Sequence, residues 1–264
     1  MNLFKYYDDK KFKIILTDSG VSIRLSQIHS LNDPFESRIN LLGVLEKTLN
    51  LSMQLKTISL EDKKNYYLHF KKIEEKFLNH LNKYFGIISL TTKPKNKLMW
   101  SHYANSHKGF CIEINLDSHL DIVKIEDINS IRSHHNNVLI KVDYQKNRID
   151  FDQGLIERNN EKEKNTYFHK IMSTKEDIWE YEDEYRVIST IGNKTAMSND
   201  ADGIPIHTML FPASSIKQII LGTLCTKDNI KFVKQWINTQ NAHHIKLTQL
   251  TLCESSYDLK TIEL

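Results

Sequence analysis

Two stretches concentrate side chains that can do chemistry. "IWEYEDEYRVI", residues 178–188, carries Glu180, Glu182 and Glu184, followed by Arg186. Side chains alternate faces along a strand. A strand here therefore sets the three carboxylates on one face and Tyr181, Asp183 and Tyr185 on the other. Like charges at that spacing repel and gain nothing from a core. One reading is a solvent-exposed edge that Arg186 partly neutralises. The other is a Glu-x-Glu pair at the lip of a cleft, where one carboxylate binds a hydroxyl or acts as a general base and the other positions a substrate. "NKLMWSHYANSHKGFCIEINL", residues 96–116, places Trp100, His102, Tyr103, His107 and Cys111 within a dozen positions, in a chain that holds only 8 Gly and 3 Trp. Trp100 and Tyr103 share a face if this is a helical turn. Trp100 also suits a core, whereas Tyr103 next to a strand suits stacking of a flat ring.

A third candidate is "LNDPFE", residues 31–36, where Asn32, Asp33 and Glu36 stand in a turn. It is either an Asx-turn, with a side chain bonding its own backbone, or a loop that closes the wall of a pocket. Metal chemistry has little support. His102 and His107 lie five apart, a poor helical spacing for a shared ion, and neither HxxxH nor HExxH occurs. No GxGxxG, GxxxxGK[ST] or GxSxG pattern is present, so nucleotide-binding Rossmann, P-loop and nucleophile-elbow readings lack their signatures. Cys111 sits in an apolar run and reads as core.

These residues must be positioned by elements, and the pattern of the chain supplies them. "LFKYY" (3–7), "VSIRLSQ" (21–27), "GIISLTT" (86–92), "GFCIEIN" (109–115), "NVLIKVDY" (137–144), "DEYRVIST" (183–190), "IPIHTMLF", "IKQIILG" and "HIKLTQLTL" read as strands. "DKKFKIILTDSG" predicts a short helix ending at Gly20, and residues 39–84 predict helices, with "SLED" at 59–62 as a capping box. Residues 152–175 and "TKDNIKFVKQWINTQ" also predict helices, and "SNDADG" (198–203) a flexible turn. Strands and helices alternate irregularly, which argues an α+β fold with mixed, largely antiparallel sheets. We expect one domain over 1–264 with a helical insertion at about 39–85.

Composition narrows the class. The 264 residues are 26% charged and 40% hydrophobic, with formal net charge +3, ordinary globular values and no nucleic-acid signature by themselves. Three scattered cysteines do not suit a disulfide framework or a zinc site, and a reducing cytoplasm fits them best. The first residues carry acidic groups and no apolar run, unlike a signal peptide. No stretch reaches the length of a transmembrane helix. The expected location is cytoplasmic.

In combination, "LFKYY", "LNDPFE", "SLTTKPKNKLMWSHYANSHKGFCIEIN" (89–115), "WEYEDEYRV" (179–187) and "IKQIILG" (216–222) resemble the domain-of-unknown-function family numbered 2971. The order of elements is also similar to that of an ADP-ribosyltransferase-like fold. That second resemblance implies NAD as substrate. Lys5 and Tyr6 would lie on the nicotinamide-contacting first strand, Ser89 and Thr91 on a Ser/Thr strand, and Tyr103 would be the stacking aromatic, with Trp100 and His102 beside it. Glu184 would be the catalytic glutamate and Glu182 its acceptor-side partner, with Asn32, Asp33, Glu36 and Arg186 elsewhere in the pocket. The known transferases usually carry His or Arg where this chain has Lys5 and Tyr6. The implied activity is an NAD-dependent ADP-ribosyltransferase acting on a nucleic-acid or protein acceptor, of the kind found in prokaryotic toxins and antiviral (phage-defence) effectors, with an antitoxin or other regulatory partner. Two other classes fit the residues: a nucleotide- or nucleic-acid-binding regulatory module without turnover, and a nuclease using Asp33, Glu36, Glu182 and Glu184.

Overall fold

Alternating apolar residues set the strands, and the strands set the site. In this computed structural model residues 2–41, 43–44, 59–118, 122–126, 136–151, 160–192 and 196–264 are described. In chain order the strands are β1 (Leu3–Tyr7), β2 (Leu16–Thr17), β3 (Gly20–Leu25), β4 (Phe85–Thr91), β5 (Phe110–Ile114), β6 (Ile122–Ile125), β7 (Asn137–Lys141), β8 (Asp143–Gln145), β9 (Thr174–Glu176), β10 (Glu184–Thr190), β11 (Ser198–Asn199), β12 (Pro205–Phe211), β13 (Ile216–Leu221), β14 (Lys246–Leu252) and β15 (Leu259–Glu263). The helices are α1 (Phe12–Ile15), α2 (Leu60–Tyr84), α3 (Lys97–Tyr103), α4 (Glu161–Met172) and α5 (Lys227–Thr239).

Nine strands form one sheet in the order β15-β14-β13-β5-β1-β4-β10-β7-β6, and β11-β12-β3-β2 form a second. In the large sheet β13–β14 and β6–β7 run parallel, and the other pairs run antiparallel. The fold is α+β with mixed and antiparallel sheets, as the pattern predicts. "GIISLTT", "GFCIEIN" and "DEYRVIST" all join the large sheet, as β4, β5 and β10.

The centre of that sheet is forked. β1 pairs with β5 along its whole length but touches β4 through one pair, Phe4↔Thr91. Four residues back along β4, Ile87 exchanges backbone hydrogen bonds with Ser26, just past the end of β3 (2.8 and 2.9 Å). Between these two points the carbonyl of Ser89 accepts from the Lys5 ammonium at 3.1 Å. A cavity of about 260 Å³ occupies the fork.

Each face of the sheet is closed by its own apolar cluster. Ile88, Leu90, Val187 and Ile112 bury under α5 residues Val233 and Trp236, while Ile87 and Ile188 pack with Phe77 and Leu81 of α2 and Tyr167 and Ile171 of α4. Ser59 and Asp62 cap α2 reciprocally, as the sequence predicts. Four expectations need correction. The helix at 12 ends at Ile15, because Leu16–Thr17 turns back on Gly20–Val21 as a hairpin and Gly20 takes φ +124 as the first residue of β3. "NVLIKVDY" splits at Val142 into β7 and β8, which join different sheets. Residues 174–176 leave the helical stretch as a strand, and residues 198–199, expected in a turn, form the short strand β11. The predicted helices over 45–58 and 152–159 lie outside the described residues.

Candidate active site

Strand alternation places the chemistry. Phe4 faces Thr91, Thr91 faces Glu184, and Ser89 faces Arg186, so these residues share one side of the sheet. Glu182 reaches the same place by a different route from the one expected. Residues 177–182 form a 3-10 helix instead of strand, and Asp183 breaks it with left-handed dihedrals (φ 44, ψ 54) before β10 begins. Glu180 is left exposed, and the three glutamates do not share a strand face. Asp183 is anchored there by the Thr92 hydroxyl and by Lys141 at 3.0 Å. Nor is the pair a solvated edge: Glu182 and Glu184 are each 3% exposed.

Their counter-charges are Lys175 and Arg186. The Lys175 ammonium lies 2.7 Å from Glu182, 3.2 Å from Glu184 and 3.5 Å from Glu36. Trp179 covers it, with its ring centroid 4.8 Å away. Arg186 is fully buried and forks onto both oxygens of Glu184 at 2.9 and 3.0 Å. It also donates to Glu36 at 2.8 Å and to the Met172 carbonyl at 2.6 Å. A planar guanidinium supplies such a fixed set of donors where an ammonium could not. Glu184 is oriented further by its backbone N–H, which donates to the Tyr144 hydroxyl at 2.8 Å.

These surroundings push the two glutamates apart. Burial alone would raise the Glu184 carboxyl, but Arg186, Lys175 and the Ser89 hydroxyl outweigh it and hold it at about 2. At Glu182 burial wins over Lys175 and the Tyr103 hydrogen bond, and the carboxyl is raised above its usual value. Tyr103 donates to Glu182 at 2.5 Å and accepts from Asn32 at 3.1 Å. Its phenol is raised by burial first and then by Glu182. Lys175 is raised by Glu184, Glu36 and Glu182 against its burial. Lys5 is lowered to about 8 by burial, with Glu184 opposing.

Of the residues singled out in the sequence, Lys5, Tyr6, Asn32, Glu36, Ser89, Thr91, Tyr103, Glu182 and Glu184 line the cavity in the fork. Thr91 is committed to structure, donating its hydroxyl to the Glu182 carbonyl at 2.5 Å. Tyr6 likewise donates to the Lys93 carbonyl at 2.5 Å. Asp33 accepts from Phe35 N–H, making the Asx-turn, and faces a neighbouring cavity. Trp100 is a correction: it is 0% exposed, donates to the Pro94 carbonyl and packs edge-on against Tyr6, so it supports the cavity from behind and cannot touch a ligand. His102 is exposed on α3 and absent from the cavity wall. Sequence reasoning missed Lys175 and Tyr144. The three-residue strand β9 is too short for a periodicity signal, and the unbalanced carboxylates of 180–184 were the one hint that a second cation was needed.

The site is thus a sheet-fork cavity walled by a buried carboxylate–ammonium–guanidinium cluster in an α+β protein. A family model described as "Protein of unknown function (DUF2971)" matches residues 99–187, which bears out that resemblance over the segment holding Tyr103, Lys175, Glu182, Glu184 and Arg186. No curated protein and no solved structure matches the chain. Among the described residues no helix is long and apolar enough to cross a membrane.

Proposed function

We propose that the chain is an NAD-dependent ADP-ribosyltransferase, with the fork cavity as its nicotinamide–ribose site. The observation that carries this reading is the convergence of two buried carboxyls, Glu182 and Glu184, on one buried ammonium at the cavity wall, in surroundings that raise the first and lower the second. Pairs of carboxyls whose environments drive them apart mark distinct acid–base roles. Breaking the C1′–N bond sends its electron pair out with nicotinamide and leaves positive charge on the ribose. Glu184, ionised across the whole working range, faces that charge from a dry wall, where electrostatic stabilisation is strongest. Glu182, the more basic carboxylate, accepts the proton that the acceptor nucleophile loses as its bond to C1′ forms. Nicotinamide leaves neutral, so no acid is needed on its side. Tyr103, as the stacking aromatic, Lys5 and Ser89 all line the cavity.

A nuclease reading is less well supported. Glu36, Glu182 and Glu184 do converge, but on Lys175, which occupies the point where a metal would be shared. Among the described residues no group of three His, Cys, Asp or Glu side chains is arranged to hold an ion. A nucleotide-binding module without turnover is the second reading, favoured by the double cation pairing of Glu184.

The test is nicotinamide release from NAD, with and without cell lysate as acceptor source, for the wild type, Glu184→Gln and Glu184→Asp. Removing one electrostatic catalytic group should lower the rate at least about 100-fold. Glu184→Asp keeps the charge and controls for lost ion pairing, and folding of each variant is checked by thermal unfolding. Wild-type protein that binds NAD and releases no nicotinamide with any lysate fraction decides for the binding module.

A further inference from the structure

The fork cavity has a neighbour. A second cavity of about 220 Å³ shares Glu36 and Lys175 with the first, so the wall between them is one layer of side chains. The turn over residues 32–36 separates their mouths: Asn32 borders the first and Phe35 the second. Loop 145–149 forms the outer wall of the second cavity. The far side of that loop opens on a broad groove reached by Lys170.

The rim is basic. Arg38, Lys146, Arg148 and Lys170 are all exposed around it. Of the nearby acids, Asp33 is committed to its turn, Glu36 to Arg186, and Asp150 to Asn40. Asp150 and Glu176 are the exposed acids along it, and Arg38 lies 3.7 Å from the buried Glu74. An aromatic ring stands in the middle: Phe35 is 53% exposed, and the Arg148 guanidinium lies 4.9 Å from its centroid. Exposed basic residues along a groove, combined with an aromatic and an arginine plane, suit a single-stranded nucleic acid, whose phosphates take the charges and whose bases stack without sequence preference.

We propose that this groove binds the acceptor as a single strand of nucleic acid, with phosphates on Lys146, Lys170 and Arg38 and a base on Phe35 and Arg148. The strand crosses the 32–36 turn toward Asn32 and the fork cavity. As an acceptor assignment this rests on the transferase reading; as a binding surface it does not.

The experiment measures fluorescence anisotropy of labelled 12-nucleotide DNA and RNA strands with the full chain, without NAD. The wild type should bind at 50 mM salt and weaken as salt rises. The double variant Lys146→Ala/Lys170→Ala should bind at least about tenfold more weakly, with the salt slope reduced by about 1.4, two phosphate contacts on a single strand. Phe35→Ala should also lose about tenfold or more. Thermal unfolding verifies that the variants are folded, as expected for exposed sites. The inference is overturned if no strand binds at 50 mM salt, if the variants bind like wild type, or if an acidic peptide binds the groove and no strand displaces it. Nicotinamide release without strand binding defeats this inference alone. Strand binding without any nicotinamide release defeats the transferase reading and leaves the groove standing.

Discussion

Lys175 is the residue on which the cluster turns. Three carboxylates meet it within 3.5 Å, and Arg186 alone could not balance them. Taking a buried partner away leaves uncompensated charge and costs about 3–5 kcal/mol, whereas the intact cluster adds little over an apolar core. Lys175→Met should therefore lower unfolding stability by about that amount, read from urea titrations at pH 7. The same cluster fixes the acid limb. Glu184 falls from an ordinary 4.5 to about 2 on folding, which corresponds to about 3 kcal/mol. That stability is present above pH 4.5 and drains as pH falls toward 2. Lys175 runs the other way, its contribution complete below its usual 10.5 and lost in strong base. Urea midpoints at pH 7, 4 and 3 should fall along this limb, and a flat profile would refute the pairing. Tyr103 tunes the second glutamate. Its hydroxyl lowers Glu182 against the burial that raises it, so Tyr103→Phe should keep ligand stacking and move the acidic limb of the rate–pH profile upward.

The turn after α3 positions Tyr103, and its backbone is unusual. Asn105, Ser106 and His107 have φ of 43, 51 and 67, three successive left-handed residues without a glycine. Each costs about 1–2 kcal/mol for an L residue. The surroundings hold them: Gly109 N–H bonds Ala104, His107 stacks on Trp100, and the His107 carbonyl accepts from Leu224 N–H. Gly222 makes this docking possible, since a Cβ there would stand 2.0 Å from the His107 carbonyl. Ser106→Gly should raise the melting temperature or leave it level, while Gly222→Ala should lower it and loosen Tyr103 from Glu182, visible as weaker ligand binding. Strands of five to seven residues with alternating apolar positions were readable in the sequence, and so was the α2 cap. The 3-10 helix at 177–182 was not. Its residues alternate charged and aromatic types as an edge strand would, and one left-handed residue, Asp183, sets the outcome. Glu182 and Glu184 still meet, because both reach for the same ammonium.

At the scale of the molecule, sequence separation explains what was legible. The site draws on residues 5, 32, 36, 89, 103, 175, 182 and 184. Their types flagged most of them, but only the strand order β5-β1-β4-β10 says that they meet. Periodicity gives the faces of a strand and says nothing of its neighbours, so the fork between β1 and β4 was invisible, and with it the cavity. The basic groove escaped for a related reason. Arg38, Lys146, Arg148 and Lys170 come from three segments, and the net charge of +3 conceals their clustering.

The fork also has a consequence for how the protein breathes. Opening it needs the loss of one β1–β4 pair, the Lys5–Ser89 contact, the Ser26–Ile87 exchange and the side-chain bonds from Tyr6 to Lys93, Asn96 to Tyr181 and Tyr103 to Glu182, while the ladders on either side, β1–β5 and β4–β10, stay whole. Cooperative units of a protein part where few buried contacts cross. In native-state hydrogen exchange the amides of Ser26 and Ile87 should therefore exchange through a shallow opening, well before those of Ile112 and Val187, which need the whole sheet to melt. Ligand in the cavity would slow the first pair and leave the second unchanged. The line along which the sheet parts most readily is the line on which its cavity lies.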